Sequence, residues 1–537
     1  MFDLLIRNVM VIDGSGSAGY RGNVAVADGR IAAVGDIGGE TERVMDGSDL
    51  VAAPGFIDIH SHTDTGLFVD PRAQSKITQG ITLELGGNCG FSSGPYFDEA
   101  GRSELESWRR KHNIEENWQT LGEMLSAMEG RDIAINFATL VGHSNLRSAV
   151  VGLAAREATP DEIEQMKRLA AQAMEEGAFG ISSGLIYPPS CFGDTNELGA
   201  LASATAPHGG FYASHIRSER EAMKEAVAEA IEIGRLGGVP VQIAHHKACG
   251  STNWGMVKQT LEMIYEARDQ GIDVTVDQYP YTASATSLTI LLPNWAHDGG
   301  DEALVGRLKN QRAELFDHLH KLGEPGGSIS SDGGWHTVLV SSVRTDANRR
   351  FEGMNLVDIA KARGTGPEDT VLDLLTEESA AVSMVHFAQC EEDIKTVMLS
   401  SVAMIGTDAS ARSTSGEMAR GKPHPRSFGS FPRVLGRYVR EQQVIPIETA
   451  IHKMTGMPAR KLGLADRGLL KPGFWADMVL FDPETIIDNA TYENPHQISS
   501  GIDCVFVNGQ LTVEQGEMTG AYAGRVLRRN SAASSRV

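Results

Sequence analysis

Eight short apolar segments recur through the middle of the chain, each ending in polar residues, and this repeat strongly constrains the fold. Amphipathic helical stretches such as DEIEQMKRLAAQAMEEG and REAMKEAVAEAIEIGRLG separate several of them. Strands that alternate with helices form parallel βαβ units, and eight such units predict a closed barrel. We therefore expect an α/β protein with a (β/α)8 TIM barrel over residues 55–464. The strand segments are GFIDIHSH, ITLELGGNCG, AINFATLVGH, GAFGISSGLIY, GGFYASHI, VPVQIAHHK, DVTVDQYPY and SVAMIGTDAS.

The two ends of the chain have a different pattern, in which apolar and polar residues alternate in short pieces. The first end reads DLLIRNVMVI, GNVAVADG, RIAAVG and DLVAAPG, and the second reads ADMVLFD, IDCVFVNGQ and LTVEQGE. Alternation between Gly and Asp turns is typical of β-strands. Because the two ends of a domain often lie close in space, residues 1–54 and 465–525 are expected to form one discontinuous β-sandwich. Residues 526–537 are small and polar, which predicts a disordered tail.

The spacing of the strand segments is regular except between the seventh and the eighth. Residues from about 288 to 400 form a large insertion there. A connection of this length normally has a function or a structure of its own. We interpret it as a cap or lid.

Composition excludes several classes of partner. The chain has 537 residues and a formal net charge of -22, whereas nucleic-acid binding requires a basic face. No segment offers the ~18 continuous apolar residues of a membrane span, and the N-terminus lacks the features of a secretory signal. The five cysteines follow no spacing pattern, which favours a reducing compartment. We therefore expect a cytoplasmic protein without nucleic-acid or membrane partners; its oligomeric state is left open.

Residues that can bind a metal stand at the carboxyl ends of five predicted strands. Barrel enzymes place their chemistry on this face. Two histidines separated by one residue project to the same side of a strand, and a thiolate is a soft ligand suited to zinc. A mixed set of His, Cys and Asp from different strands, with room for water, predicts a catalytic zinc site. The residues are His60, His62, Cys89, His215, His245 and Asp408.

Each of these residues also has an ordinary structural interpretation. A lone His-x-His pair is a weak signal, and a single strand cysteine such as Cys89 is more often a small core residue. Asp408 alone could cap a helix. The convergence of independent candidates on one end of one barrel favours the metal site. His246 is expected to point away from it, while His143 is either a pocket residue or a structural histidine.

Several motifs carry a resemblance to a known family. PGFIDIHSHTD, the histidines of strands five and six, IGTDAS and GLLKPGFWADMVLFDP resemble the amidohydrolase superfamily. TQGITLELGGNCGFS, GISSGLIYPPS, ASHIRSE, AHHK, DQYPYTA and HPRSFGSFPRVLGRY resemble its D-aminoacylase branch, the N-acyl-D-amino-acid deacylases. The resemblance extends from the N-terminus to about Gln510, without much of the insertion.

The resemblance implies a division of labour among the metal-binding candidates. Hydantoinase-like members bridge two metals with a carboxylated lysine on strand four, but GAFGISSGLIYPPS contains no lysine. Cys89 is the group available to replace it. The resemblance implies that Cys89, His215 and His245 hold a tight Zn²⁺ and that His60 and His62 form a weaker second site. Asp408 is implied to be the catalytic base.

Substrate-binding candidates follow from the same motifs. The family's recognition arginine lies in the HPR motif, which implies that Arg426 binds the α-carboxylate of the substrate. The stretch before that motif is long, so Arg412 and Arg420 are alternatives. Lys247 is expected to meet a second acidic group of the substrate. Arg217 and Glu219 are expected to orient His215. Near the barrel mouth, the expected donors to the oxyanion or the substrate carboxylate are Tyr187, Tyr281 and Ser287, with packing in the wall as the alternative for the two tyrosines.

The resemblance implies hydrolysis of N-acyl-D-amino acids, small molecules in which one linear amide bond is cleaved. One alternative is a cyclic amide or dipeptide hydrolase of the same superfamily. A barrel protein without enzymatic activity is another. Selectivity for the D enantiomer follows from the resemblance alone. The side-chain preference is left open, with Lys247 favouring an acidic one.

Overall fold

Nine strands from the two ends of the chain form one continuous sheet. The computed structural model describes residues 1–529. The two ends are joined where β5 pairs antiparallel with β18, with Pro54 opposite Met478. Strand pairing therefore runs through a single sheet, whereas the predicted β-sandwich would consist of two sheets. The strands, numbered in chain order, are β1 (Phe2–Val11), β2 (Tyr20–Ala27), β3 (Arg30–Gly35), β4 (Thr41–Asp46), β5 (Val51–Pro54), β18 (Met478–Phe481), β19 (Ile502–Val507), β20 (Gln510–Glu514) and β21 (Glu517–Met518).

Parallel strands occupy the middle of the chain, one in each of the eight predicted segments. Each pairs with the next along the chain, except that one segment is divided by Leu140 into β8, which pairs with β7, and β9, which pairs with β10. A parallel bridge between Ser61 and Ala409 joins the segments of the first and last strands. All residues of these strands are buried, as in parallel strands covered on both faces. The strands are β6 (Phe56–Asp58), β7 (Ile81–Gly86), β8 (Asn136–Thr139), β9 (Val141–Gly142), β10 (Gly180–Gly184), β11 (Phe211–His215), β12 (Val241–Ile243), β13 (Val274–Gln278) and β17 (Ala403–Ile405).

Helices connect the parallel strands and pack against them. Helix α6 begins with a capping box between Thr159 and Glu162, and it buries Met166 and Ala170 at helical spacing. The helices outside the insertion are α1 (Gly66–Val69), α2 (Gln74–Ile77), α3 (Glu99–His112), α4 (Leu121–Glu129), α5 (His143–Val150), α6 (Pro160–Glu175), α7 (Thr195–Thr205), α8 (Met223–Gly237), α9 (Met256–Asp269), α15 (Glu391–Leu399), α16 (Arg426–Arg433, continued by the π-helix Val434–Glu441), α17 (Ile447–Met454) and α18 (Gly456–Leu462).

The insertion has a sheet and a hydrophobic core of its own. Leu304, Leu319 and Val371 belong to this core, and three antiparallel strands cross it. Its range differs from the predicted 288–400. It begins with β14, and α15 lies outside it because α15 packs on α9, β13 and β17 as an ordinary connecting helix. The elements are β14 (Ser284–Ser287), β15 (Val338–Ser342), β16 (Ser383–His386), α10 (Gly300–Asn310), α11 (Arg312–Gly323), α12 (Ser328–Ser331), α13 (Leu356–Arg363) and α14 (Pro367–Glu377).

The described chain stays hydrogen-bonded to its last residues. Leu527 N–H donates to the Phe137 carbonyl at 2.7 Å, and Arg529 N–H donates to the Gly177 carbonyl at 3.0 Å. Residues 526–529 are therefore bonded to the segments of the parallel strands, in contrast to the prediction of a disordered tail. The rest of the predicted tail, residues 530–537, lies outside the described residues. Among residues 1–529, no helix has the length and apolar character needed to cross a membrane.

Candidate active site

Two groups of metal-binding side chains meet at the carboxyl ends of the parallel strands, and Cys89 belongs to both. The first group is Cys89, His215 and His245, and the second is His60, His62, Cys89 and Asp408. Within each group, the donor atoms lie within 4.8 Å of one another. All six residues proposed from the sequence are thus brought together from five strand ends.

Unusual backbone conformations aim three of these side chains. Cys89, His245 and Asp408 have φ values of 52°, 34° and 50°, in the left-handed region that residues other than glycine rarely adopt. Strained conformations of this kind concentrate at functional sites. Gly90 is required beside Cys89, because a Cβ there would lie 2.7 Å from the Gly184 backbone nitrogen. The turn after β7 therefore brings Cys89 close to β10.

The Cys89, His215 and His245 group fits zinc. Cys89 Sγ lies 3.6 Å from His245 Nε2, and His245 Nε2 lies 2.7 Å from His215 Nδ1. Zinc bonds of about 2.3 Å to sulfur and about 2.0 Å to nitrogen separate tetrahedral S and N ligands by ~3.5 Å, which matches the distance from Cys89 to His245; two nitrogen ligands are ~3.3 Å apart, so the two histidines separate slightly around an ion. Burial opposes ionisation of the Cys89 thiol, but the imidazoles of His60, His215 and His245 outweigh it and hold its pKa well below the usual range. A buried thiolate flanked by imidazoles is a typical zinc ligand set.

The second group surrounds the Asp408 carboxylate. His62 Nε2 lies 3.0 Å from Asp408 Oδ1, and His60 Nε2 lies 3.3 Å from Cys89 Sγ. Asp277 lies 3.0 Å from Nδ1 of His60, so Nε2 of His60 is the atom turned toward the cluster. A carboxylate behind a histidine in this way fixes the ring orientation and tautomer of a metal ligand.

Arg426 holds the other oxygen of Asp408. Its Nη1 donates to Asp408 Oδ2 at 2.6 Å, and its guanidinium lies over the Tyr279 ring at 4.6 Å. Burial raises the pKa of the Asp408 carboxyl, but Arg426, His60 and His245 outweigh burial and lower it well below its ordinary value. Asp408 is therefore an ionised carboxylate in a fixed orientation.

Glu219 supports a different histidine from the one predicted. Its Oε1 lies 3.0 Å from His245 Nδ1 but 3.9 Å from His215 Nε2, so it orients His245. The prediction for Arg217 was wrong, since Arg217 pairs with Glu229 and donates to backbone carbonyls after β10. Lys247 also donates to Glu219, and this ion pair neutralises the Lys247 ammonium within the protein.

A cavity of about 920 Å³ opens from the metal-binding groups toward α3 and the insertion. Of the predicted substrate-binding residues, Arg426, Lys247, Tyr187 and Ser287 line it. Tyr281 does not: its hydroxyl donates to Asp488 at 3.2 Å, and its ring packs under the Arg433 guanidinium. Its expected position is taken by Tyr279, because the chain leaves the strand after Gln278 and turns at Pro280.

The remaining candidates lie away from this cavity. Arg412 and Arg420 are not among the described residues that line it, which leaves Arg426 as the arginine at the site. His143 is a structural histidine, with its ring nitrogens 2.6 Å from Ser190 Oγ and 2.8 Å from Glu197 Oε1. His246 faces Thr260, and burial lowers its pKa to about 4. Cys191, Cys249, Cys390 and Cys504 are free thiols outside both groups.

Two residues of the site were missed in the sequence. Tyr279 stacks on Arg426, and Asp277 binds His60 and accepts from the His245 backbone N–H at 2.8 Å. Both lie in DQYPY, which ends the seventh parallel strand. Their signal is their position: Asp277 and Tyr279 are two residues apart at the carboxyl end of the seventh strand, on the face where other strands place the metal-binding side chains.

Buried His, Cys and Asp donors at the carboxyl ends of parallel strands define a metal-binding α/β protein with a substrate-sized cavity. This chain belongs to the amidohydrolase family, whose model matches residues 43–289 and 414–513. A D-aminoacylase from Alcaligenes xylosoxydans xylosoxydans is 36% identical over 533 residues, which cover 99% of this chain and 98% of the relative.

Two solved structures are similar over nearly the whole chain. One concerns the binuclear metal centre of D-aminoacylase, with one-metal activation and second-metal attenuation; it has a TM-score of 0.82 and 35% identity, covering 98% of this chain and 100% of that one. The other is an N-acyl-D-glutamate deacylase from Bordetella bronchiseptica, complexed with zinc and a phosphonate inhibitor that mimics the tetrahedral intermediate. It has a TM-score of 0.82 and 33% identity, covering 98% of this chain and 99% of that one.

Proposed function

We propose that this protein is a zinc-dependent amidohydrolase that cleaves the amide bond of N-acyl-D-amino acids, giving a carboxylate and a free D-amino acid. The observation that carries the proposal is the convergence of Cys89, His215 and His245 beside the ionised Asp408. A D-aminoacylase and an N-acyl-D-glutamate deacylase as relatives over nearly the full length support the D-amino-acid class.

The scaffold of this site is a (β/α)8 barrel. The parallel neighbour order and the bridge between Ser61 and Ala409 support closure of the eight strands. The nine terminal strands form a β domain whose hydrogen bonding runs through one continuous sheet, and the insertion forms a cap. Function at the carboxyl ends of the strands agrees with the general rule for such barrels.

Cys89, His215 and His245 hold the tightly bound zinc, and His60 and His62 contribute to a weaker second site that shares Cys89. The binuclear metal centre of the similar D-aminoacylase, with one-metal activation and second-metal attenuation, supports this division. When bound, zinc supplies a Lewis acid that polarises a carbonyl group and lowers the pKa of water. No lysine is needed as a bridge, because the Cys89 thiolate belongs to both groups.

Asp408 moves the proton of the reaction. Its Oδ1 faces the cluster, where it takes a proton from the attacking water. The water oxygen bonds to the acyl carbon, the C–N bond breaks, and the same proton passes from Asp408 to the leaving nitrogen. Arg426 fixes the carboxylate through Oδ2, which turns Oδ1 toward the cluster, 3.0 Å from His62 Nε2.

Arg426, with Tyr279 and Tyr187 beside it, binds the α-carboxylate of the substrate. Arg426 donates one N–H to Asp408 and one to the Ala285 carbonyl at 3.3 Å, which leaves further N–H groups for a substrate carboxylate, the partner that a guanidinium matches well. The Tyr187 hydroxyl lies 2.9 Å from Thr286 Oγ1 on the insertion side of the cavity. Tyr187 and Ser287 thus offer hydroxyl groups to the substrate at the rim.

A panel of substrates tests this proposal. Purified protein is assayed for amine release from matched N-acetyl-D- and N-acetyl-L-amino acids and from dipeptides, and for ring opening of hydantoins to N-carbamoyl amino acids, with zinc measured on the same preparation. We expect turnover of the D enantiomers that a chelator abolishes and zinc restores. Preferential opening of hydantoins or cleavage of dipeptides would favour the cyclic amide or dipeptide hydrolase, and inactivity on the whole panel would exclude the proposal.

A further inference from the structure

A fully buried lysine lies beneath the candidate active site. The side chain of Lys76 on α2 has 0% exposure, and its ammonium is surrounded by polar atoms of the first and last parallel strand segments. Nζ donates to Asp58 Oδ2 at 2.6 Å, Thr407 Oγ1 at 2.7 Å and the Ala409 carbonyl at 2.7 Å. An ammonium group has three N–H donors, so these three close acceptors match its capacity, and Ser61 Oγ lies slightly further away at 3.2 Å.

The contacts of Lys76 lie on both sides of Asp408 in the chain. Thr407 precedes Asp408 and Ala409 follows it, and both accept hydrogen bonds from Nζ. Asp58 adds to the same clamp, accepting the Thr407 N–H at 2.9 Å and the Thr407 hydroxyl at 2.6 Å. Lys76 thereby ties the segment that carries His60 to the segment that carries Asp408.

The segment between these contacts is strained. Asp408 has a φ of 50°, which costs energy for a residue with a side chain and persists only when its surroundings enforce it. Its own N–H donates to the His60 carbonyl at 2.8 Å, the His62 N–H donates to the Ala409 carbonyl at 3.2 Å, and Arg426 holds the Asp408 carboxylate. The side-chain contacts that fix its two neighbours come from the Lys76 cluster.

We propose that Lys76 is a positioning residue for catalysis, which holds Asp408 in the conformation that directs its carboxylate to the metal-binding cluster. The inference rests on the proposed function for the role of Asp408, while the conformational claim stands on the contacts alone. Lys76 touches no substrate and is not itself a catalytic residue.

Burial of the charge favours this inference over a purely stabilising role. Desolvation of an ion pair is expensive, and apolar residues of similar volume often replace such a pair without loss of stability. Glu84 adds a second carboxylate 3.5 Å from Nζ, and its Oε1 has no hydrogen-bond partner among the described residues. An arrangement with this cost is explained by the geometry that it imposes on Asp408.

The test compares Lys76 with a second buried lysine, Lys453. Lys76 contacts the segment that follows β17, and Lys453 contacts the segment at the start of β17. Lys453 is 3% exposed and donates to the Ala403 carbonyl at 3.0 Å and to the Ser400 carbonyl, at the start of β17. Lys76→Met and Lys453→Met are prepared as zinc-loaded full-length protein. For each, kcat, KM, zinc content, thermal midpoint and a crystal structure are measured.

We expect Lys76→Met to retain zinc and a KM within about threefold of the wild type, while kcat falls at least tenfold and Asp408 leaves its left-handed conformation. Lys453→Met is expected to lower only the thermal midpoint. Thr407→Val, which removes one acceptor of Lys76 without changing side-chain size much, should lower kcat in the same direction. If Lys76→Met does not fold, the kcat of Thr407→Val decides whether the Lys76 cluster positions Asp408.

An unchanged kcat or an unmoved Asp408 in a folded Lys76→Met protein would overturn the inference, as would equal losses of kcat in both lysine variants. If the wild type hydrolyses no N-acyl-D-amino acid, the proposed function fails. The crystal structures of the two variants then still decide whether Lys76 positions Asp408.

Discussion

Arg426 and Asp408 form a buried ion pair in which each oxygen of the carboxylate has a different neighbour. Nη1 of Arg426 binds Oδ2 at 2.6 Å, while Oδ1 lies 3.0 Å from His62 Nε2. The cation therefore orients the carboxylate and keeps it ionised, and the oxygen toward the metal-binding cluster stays available for proton transfer. The same arginine lines the cavity, and under the proposed function it couples substrate binding to the orientation of the base.

Asp408→Asn should remove most turnover without removing the metal. The amide has almost the same size but no proton-accepting oxygen of comparable basicity, and general base catalysis contributes about 10²–10⁴-fold. We expect kcat to fall by about that factor with zinc content unchanged, measured by steady-state kinetics and metal analysis. Asp488→Asn, which alters an Arg-bound carboxylate outside the cavity, is the matched control and should retain kcat. Normal turnover in Asp408→Asn would contradict the assigned role.

Cys89→Ala should abolish tight zinc binding, because the thiolate is the only anionic ligand in the Cys89, His215 and His245 group. The control is Cys191→Ala, which removes another buried thiol whose pKa burial raises to about 11 and which belongs to neither group. Zinc content after dialysis should fall well below one equivalent in Cys89→Ala and stay unchanged in Cys191→Ala. Full zinc retention by Cys89→Ala would remove the basis for the ligand assignment.

The strand ends and the metal-binding candidates were predictable because their signals are local. A buried apolar run marks a parallel strand, and its last polar residue lies on the face where all such strands end. Non-local features were harder to predict. Because the loop after β13 turns at Pro280, Tyr279 lies at the cavity and Tyr281 packs elsewhere. Because of the path of the loop after β11, Arg217 pairs with Glu229 and does not support His215.

The insertion and the terminal sheet were predictable in outline only. Residue spacing shows that an insertion exists, but whether α15 belongs to it depends on packing against β13 and β17. Likewise, alternation predicts strands at both ends of the chain, whereas the pairing of β5 with β18 joins residues more than 400 positions apart. Lys76 also escaped notice, because a lysine on a short helix is ordinarily solvated.

Glu219→Gln should weaken zinc binding through His245. Glu219 Oε1 lies 3.0 Å from His245 Nδ1, and loss of such a supporting carboxylate typically costs 10–100-fold in metal affinity, to order of magnitude. Competition with a chromophoric chelator measures this change. Glu229→Gln alters a carboxylate that binds Arg217 instead of a metal-binding histidine, so its zinc affinity should match that of the wild type. Equal affinities in the two variants would show that Glu219 has no supporting role.

The charge of the cavity predicts which substrate side chains are accepted. Its lining includes two cations, each of which is already paired with a carboxylate, and a larger number of acidic side chains. Added negative charge on a substrate side chain in the outer cavity, away from zinc and Arg426, is therefore repelled; at an effective dielectric constant of about 20, one like charge ~8 Å away costs ~2 kcal/mol. The acidic residues are Asp98, Glu104, Glu219, Asp301, Glu302 and Asp408.

N-acetyl-D-glutamine and N-acetyl-D-glutamate have nearly the same shape and differ by one charge, so they test this prediction directly. We expect kcat/KM to be roughly tenfold or more higher for the glutamine derivative. Added salt should reduce the difference in kcat/KM between the two substrates, since salt screens exposed charges. The double variant Glu104→Gln, Asp301→Asn should reduce the same difference in kcat/KM, because both side chains line the outer cavity, away from the metal-binding groups. A preference for the glutamate derivative would mean instead that Lys247 exchanges Glu219 for the substrate carboxylate.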